Sequence, residues 1–326
     1  MSVSQWKEKD VTSANIDEVL HFCLKYEERC VNLVQSLQEE RKKLKDKFSF
    51  FCLTERKMPL AKAFYLNAKL FAVACINQHQ FLLYCVKDQA TQADRGISFD
   101  WQECIDELCH IMIRSFPFSK VYAVMGEEKV QRRLKDVLFQ ETRIKATHVV
   151  QYILMLFDNE CFEGRCLDDL LALAQLHIVD CGKIITRAAT VEDLQLILPL
   201  QIGYEKEEVC VKGKSFPPYV SMMSLQKIVK DEIIYITMLD EKPIAKANTN
   251  AKGIDIYQLG GIYTLPEYRR RGLGRLTVLY LMQHIFKERK KKKVALFVNI
   301  RNLAAIAMYN SLKFKDVGRL MISYFR

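Results

Sequence analysis

Between residues 14 and 48, apolar side chains return every three or four positions with polar ones between them (NIDEVLHFCLKYEERCVNLVQSLQEE), which predicts helix. From Lys69 the pattern becomes apolar blocks. KLFAVACINQHQFLLYCV predicts strands around 69–76 and 81–86, joined by a polar turn at Asn77–His79. FDWQECIDELCHIMIRSF is helical again, with Trp101, Ile105, Leu108 and Met112 on one face. KVYAVMGEEKVQRRLKDVLF predicts a short strand, a turn at Gly126 and a helix. ATHVVQYILMLF predicts a long strand by its β-branched and aromatic content. A polar linker at 158–169 then leads into a helix near 167–178.

In the second half, KIITRAATVEDLQLILPLQIGYEKEEV predicts a strand at Ile184–Ala188 and an N-cap at Thr190 with Asp193 three residues on. The helix that follows buries Leu194, Ile197, Leu198 and Ile202. Another helix is expected near 219–230. IIYITMLDEKPIAKANTN then predicts a strand, a turn at Asp240–Pro243 and a second strand. GIDIYQLGGIYT predicts a third strand, interrupted at Gly260 and Gly261 by a bulge or a close backbone approach. After it come an amphipathic helix (GLGRLTVLYLMQHIFKERK), a strand (VALFVNI), a helix (NLAAIAMYNSL) and a final strand pair around 315–325.

Length and composition narrow this picture. A chain of 326 residues, half of them hydrophobic, is long enough for two domains with their own cores. Its 11 cysteines, an odd number set mostly in apolar stretches, fit buried free thiols in a reducing compartment. Cys104 and Cys109 beside His110, and Cys161 and Cys166, lack the spacing of a zinc knuckle, so no metal is expected. The opening MSVSQWKEKD is too polar for a signal peptide, and no run reaches the ~18 apolar residues of a membrane helix. The expected location is the cytoplasm, with no membrane partner.

The net charge of +10 suggests a nucleic-acid footprint until its distribution is examined. Between Arg269 and Lys293 ten basic side chains face one acid, Glu288, so this segment carries nearly all of the excess. Lys290–Lys293 falls at the far end of a predicted helix, where cations suit the helix dipole, and a solvated helix end is expected there. Nucleic acid is therefore not the expected partner.

The other basic cluster lies in PEYRRRGLGR, between a strand and a helix. There the free amides of a helix N-terminus point outward, Gly272 and Gly274 let an anion approach the main chain, and Arg270, Arg271 and Arg275 add charge. By itself the stretch fits a plain loop-to-helix turn as well as a phosphate site. It lacks the lysine and Ser/Thr of a P-loop and the three-glycine spacing of a dinucleotide fingerprint.

The segments that follow decide between them. Arg269, Gly272 and Gly274, followed about thirty residues on by Asn302, Ala305 and Tyr309, resemble the two signatures of the GCN5-related N-acetyltransferase (GNAT) family. The order of predicted elements from Lys183 to Arg326 fits as well. The resemblance implies an acyl-CoA N-acyltransferase fold, a mixed-sheet α/β architecture, with acetyl-CoA as co-substrate. It places the pyrophosphate on the amides of Arg270, Arg271, Gly272, Leu273, Gly274 and Arg275, and the pantetheine arm on the backbone of Ile262, Tyr263 and Thr264. It makes Tyr309 the general acid that protonates the departing thiolate. On residue type alone, a tyrosine packed on a helix face fits equally.

The general base is a gap. The position where some relatives carry a glutamate holds Phe297, which accepts no proton. Glu205, Glu207 and Glu208 lie where the family's acceptor site is often lined, and at least two of them read as surface charges. Where the family has glycine, before Phe314, this chain has Lys313. The expectation is a GNAT domain at 181–326 that acetylates a primary amine on a small molecule or peptide. An α+β domain at 1–160 precedes it, either a degenerate copy of the same fold, without the two signatures, or an unrelated substrate-selecting or dimerisation domain. A non-catalytic acyl-CoA sensor and a basic RNA- or ribosome-associated module are the alternatives.

Overall fold

The computed structural model describes residues 5–45, 60–86, 100–159, 171–172, 183–210 and 215–325. The chain divides into two compact units, one of residues 1–153 with 318–326 and the other of residues 154–317. The strands are β1 (Trp6–Asp10), β2 (Leu60–Leu66), β3 (Lys69–Asn77), β4 (Gln80–Cys85), β5 (Ala123–Glu127), β6 (His148–Asp158), β7 (Ile184–Ala188), β8 (Ile234–Leu239), β9 (Lys242–Lys252), β10 (Ile256–Thr264), β11 (Lys293–Asn299) and β12 (Lys315–Tyr324). The helices are α1 (Ile16–Leu24), α2 (Val31–Lys45), α3 (Trp101–Ser115), α4 (Glu128–Thr142), α5 (Leu194–Tyr204), α6 (Pro218–Asp231), α7 (Leu273–Lys287) and α8 (Leu303–Ser311).

In the first unit β1 to β4 form an antiparallel meander, and β5 joins β4 in parallel. The other side of β5 takes Leu320–Tyr324 of β12, antiparallel. Apolar stripes of α1 (Ile16, Val19, Leu20) and α3 (Ile105, Leu108, Met112) are buried, as the helical spacing predicts. Phe81 of β4 packs edge-on to Phe116 at 5.0 Å and against Phe118 at 4.8 Å, which closes the end of the α3 layer.

The second unit runs β7-β8-β9-β10 antiparallel, and β11 joins β10 in parallel. α5 opens on a capping box: Asp193 accepts from the Thr190 amide and holds Arg187 through two contacts of 2.7 Å. Its buried Ile197 joins Leu225 of α6 and Ile234, Ile236 and Met238 of β8 in one cluster. α7 buries Leu276, Val278, Leu279, Leu281, Met282 and Ile285, and Thr277 meets Thr237 of β8 at 2.6 Å.

Among the described residues, strand, two helices, three strands, helix, strand, helix, strand occurs twice along the chain, from β1 to β6 and from β7 to β12. Both repeats put the parallel pair at the same place, β4/β5 and β10/β11.

Several expectations need correction. The helix read over 14–48 is interrupted at Lys25–Cys30, where a 3-10 turn separates α1 from α2, and residues 46–48 lie outside the described residues. Gly126 lies inside β5 rather than in a turn, and α4 follows with no intervening loop. The chain ends in one strand, β12, and not in a pair. The lysine run lies past the helix end and is only partly solvated, with Lys290 and Lys292 exposed. α7 stops at Lys287, Lys291 donates to Ile254 O at 2.5 Å over the Tyr257 ring, and Lys293 begins β11 and pairs with Asp158. The linker at 158–169 and the helix near 167–178 fall almost wholly outside the described residues, as do Cys161 and Cys166. Among the described residues no helix is long and apolar enough to cross a membrane, and no group of three His, Cys, Asp or Glu is placed to hold a metal.

Candidate functional site

The site is organised by the point where β10 and β11 part. Their parallel pairing runs from Ile256–Lys293 to Leu259–Leu296 and ends there. Beyond it β10 bulges against β9, with register shifts at Gln258/Leu259 and Gly260/Tyr263, and Gly261 takes a left-handed φ of 55°. Side chains of β9 occupy the space that a Cβ would take in this bulge. A Cβ on Gly261 would stand 1.8 Å from Asn248 Oδ1, and one on Gly260 1.9 Å from Asn250 Nδ2. Ile262, Tyr263 and Thr264 therefore continue past the end of the β11 ladder.

A 3-10 turn at Pro266–Tyr268 leads to the arginine–glycine segment. Arg270 is left-handed at φ 63°, and Gly272, at φ 76°, is the N-cap of α7. No side chain caps this helix, so its first amides carry the positive end of the dipole without an internal partner. Gly274 lies so close to β10 that a Cβ would meet Thr264 Oγ1 at 2.7 Å. Arg275 Nε, in the first turn of the same helix, is a buried donor with no hydrogen-bond partner. An uncapped N-terminus, a close-approach glycine and an orphaned guanidinium nitrogen are what a bound phosphate would complete.

The remaining predicted residues gather around the turn that follows α5. Arg269 does not reach outward: its guanidinium donates to both oxygens of Glu207, at 2.9 and 2.8 Å, and to Thr264 O at 3.0 Å. Tyr263 donates to the same Glu207 at 2.9 Å, and burial with that carboxylate pushes its phenol up to about 12. Asn302 caps α8 by accepting from the Ala305 amide at 3.1 Å, while its own amide donates to Glu208 at 2.9 Å. Tyr309 is 6% exposed, and burial, with Tyr204 and Glu208 nearby, holds its phenol well above the ordinary range. Glu208 is raised by desolvation and by the like charge of Glu207.

Of the three glutamates, Glu207 and Glu208 are exposed, as expected of at least two, and each bonds a signature residue. All three lie in one turn of π-helix, Glu205–Val209, in which Glu205 is buried and accepts from Gln201 at 2.7 Å and from Ser221. π-Turns inside helices mark functional sites with some frequency. Lys313 is left-handed at φ 68°, the conformation that the missing glycine would take freely.

The family model of the GNAT acetyltransferases matches residues 207–314. The C-terminal unit carries a GNAT domain. Solved structures are similar over nearly the whole chain. A Drosophila protein shares 13% identity at TM-score 0.55, with 97% of this chain and 98% of that one covered. A GNAT-family acetyltransferase of Colwellia psychrerythraea shares 15% identity at TM-score 0.50, with 98% and 100% covered. A GNAT-family protein of Novosphingobium aromaticivorans shares 18% identity at TM-score 0.38. That match covers 55% of this chain, which spans 65% of that protein's length. No curated protein matches the sequence. The chain is a mixed α/β protein with the GNAT fold in its C-terminal half, and its N-terminal half repeats the same element order.

Sequence reasoning missed two residues of the second unit. Lys246 is fully buried beneath the β10 bulge, and Tyr204 stands with its ring 5.1 Å from the Lys246 amine. A signal was present. Lys246, Asn248 and Asn250 alternate with small residues in KANTN, a polar stripe with a strand's period of two. In the first unit the Asp100 side chain caps α3 by accepting from the Gln102 and Glu103 amides.

Proposed function

We propose that the C-terminal unit is an acetyl-CoA-dependent N-acetyltransferase that moves the acetyl group to a primary amine by direct attack in a ternary complex. The observation that carries this reading is the uncapped, glycine-lined N-terminus of α7 at the mouth of the β10/β11 split. The amides of Arg270, Arg271, Gly272, Leu273, Gly274 and Arg275 would hold the pyrophosphate, with Arg275 Nε gaining its missing acceptor. The edge of Ile262, Tyr263 and Thr264 that lies past the β11 ladder would align the pantetheine arm, whose thioester supplies the acyl group. Catalysis is then mainly placement of the amine and of hydrogen-bond donors. Tyr309, kept protonated by burial, donates its proton to the departing thiolate. Arg269 and Asn302 shape the site from behind, Arg269 by tying β10 to Glu207 and Asn302 by tying α8 to Glu208.

One observation favours a second reading, a non-catalytic acyl-CoA sensor: Phe297 stands where the resemblance places a carboxylate base. Calorimetry with acetyl-CoA, on the wild type and on Gly272→Glu/Gly274→Glu, tests cofactor binding. Micromolar binding by the wild type that the variant loses is expected. An amine panel with Tyr309→Phe as control then separates enzyme from sensor, since turnover that drops about a hundredfold in the variant marks an enzyme. A folded wild type that binds no acetyl-CoA or longer acyl-CoA sinks both readings.

A further inference from the structure

Lys246, Asn248 and Asn250 lie on one face of β9 and run beneath the Gly260–Gly261 bulge of β10. Lys246 Nζ donates to Gly261 O at 2.8 Å and to Asn248 Oδ1 at 3.0 Å. Asn248 Nδ2 in turn donates to Asn250 Oδ1 at 3.0 Å and to Thr249 O at 2.9 Å. The relay and the bulge are fitted to each other, because a Cβ on Gly261 would lie 1.8 Å from Asn248 Oδ1 and 2.8 Å from Lys246 Nζ.

Burial and hydrogen-bond partners bear on the protonation state. Lys246 is 0% exposed. A free amine has two N–H groups, and both have carbonyl acceptors here. An ammonium would bring a third N–H to satisfy in a site shut off from solvent. Three titratable groups face the amine: Tyr204 at the end of α5, Glu205 in the π-turn, and Tyr263, its register partner on β10. Glu205 favours the charged form, but its oxygens serve Gln201 and Ser221. Burial prevails and brings the Lys246 pKa down to about 7.

We propose, on the basis of the acyl-CoA reading above, that Lys246 is the positioning residue of the cofactor groove. It holds the Gly261 carbonyl in the bulge so that Ile262–Thr264 turn their free backbone edge to the acyl end of acetyl-CoA. Taking up a proton strains this arrangement, and the groove loses its shape as the pH falls below neutrality.

Calorimetry with acetyl-CoA at about pH 8.5 and about pH 6 tests this on the full chain with Lys246→Met and Lys246→Gln, each checked by circular dichroism. The ligand's own phosphate titration is common to all three proteins and cancels in the ratio of variant to wild type. At the higher pH, Lys246→Met is expected to bind about tenfold more weakly, the loss of one to two hydrogen bonds. Lys246→Gln, neutral with two N–H groups, is expected to recover most of the affinity and to lack the wild type's fall at low pH. A folded Met variant that matches the wild type at both values overturns the proposal and leaves the acyl-CoA reading standing. If the Met variant does not fold, the Gln variant decides, and a low-pH fall retained in it overturns the proposal. A wild type that binds no acetyl-CoA at either value overturns both.

Discussion

Arg269 and Glu207 form a two-pronged ion pair, with both carboxylate oxygens within 2.9 Å of one guanidinium nitrogen. The signature arginine of the motif is therefore an internal brace between the loop before α7 and the π-turn after α5. Both side chains are about 40% exposed, so the pair contributes little on its own to stability. Arg269→Ala, Glu207→Ala and the double variant form a cycle in urea unfolding, with an expected coupling of about 0.5 kcal/mol. In acetyl-CoA titrations either single variant is expected to weaken binding about as much as the double one. Additive losses would instead make Arg269 a direct ligand contact.

Gly261 has no tolerance for a side chain. Its φ of 55° disfavours any L residue, and the space beside it is filled by Asn248. Gly261→Ala is expected to lose about 2 kcal/mol or more in urea unfolding. Gly261→Ala with Asn248→Ala, which clears the clash but not the φ, is expected to recover part of it.

Lys313 ends α8 in a Schellman arrangement: Phe314 N donates to Tyr309 O at 3.0 Å and Lys313 N to Asn310 O at 2.9 Å. The motif forms in spite of a lysine in the left-handed position. Lys313→Gly is expected to raise stability by about 0.5–1 kcal/mol, read as a higher urea midpoint with an unchanged slope.

Lys246 makes stability depend on pH. Its pKa is about 7 in the folded chain, against roughly 10.4 when unfolded. Between these values the unfolded chain binds the extra proton, so its contribution to stability increases as pH rises, by about 1.4 kcal/mol per unit. Below both values the contribution is constant. The difference in unfolding free energy between wild type and Lys246→Met, measured from about pH 7 to about pH 9, is expected to carry this slope. A flat difference would mean that the lysine is charged when buried.

Much of the second unit could be read in advance, and the reasons are local. The Thr190–Asp193 cap, the α7 stripe and the glycine bulge each depend on neighbours in sequence, which periodicity and turn chemistry report directly. The pairing of Glu207 with Arg269 and of Glu208 with Asn302 joins residues far apart in the chain, so the π-turn acidic residues resemble any solvated run. Lys246 was missed for the opposite reason, since a lysine between alanines on a strand reads as an outward-facing charge. The break between α1 and α2 has no glycine or proline to announce it. Gly126 shows the converse error: it lies in β5 with Leu83 O only 3.3 Å from where its Cβ would be, so close packing rather than a turn explains the residue.

The pairing of Leu320–Tyr324 with Ala123–Glu127 bears on how the protein comes off the ribosome. Synthesis runs from the N-terminus, and a leading domain ordinarily folds while the rest is still being made. Here β5 must wait with one row of its backbone hydrogen-bonding groups unmatched until everything between it and β12 has been translated. A strand held open in this way invites mispairing. Dividing the gene between the two repeats would leave the leading half permanently one strand short.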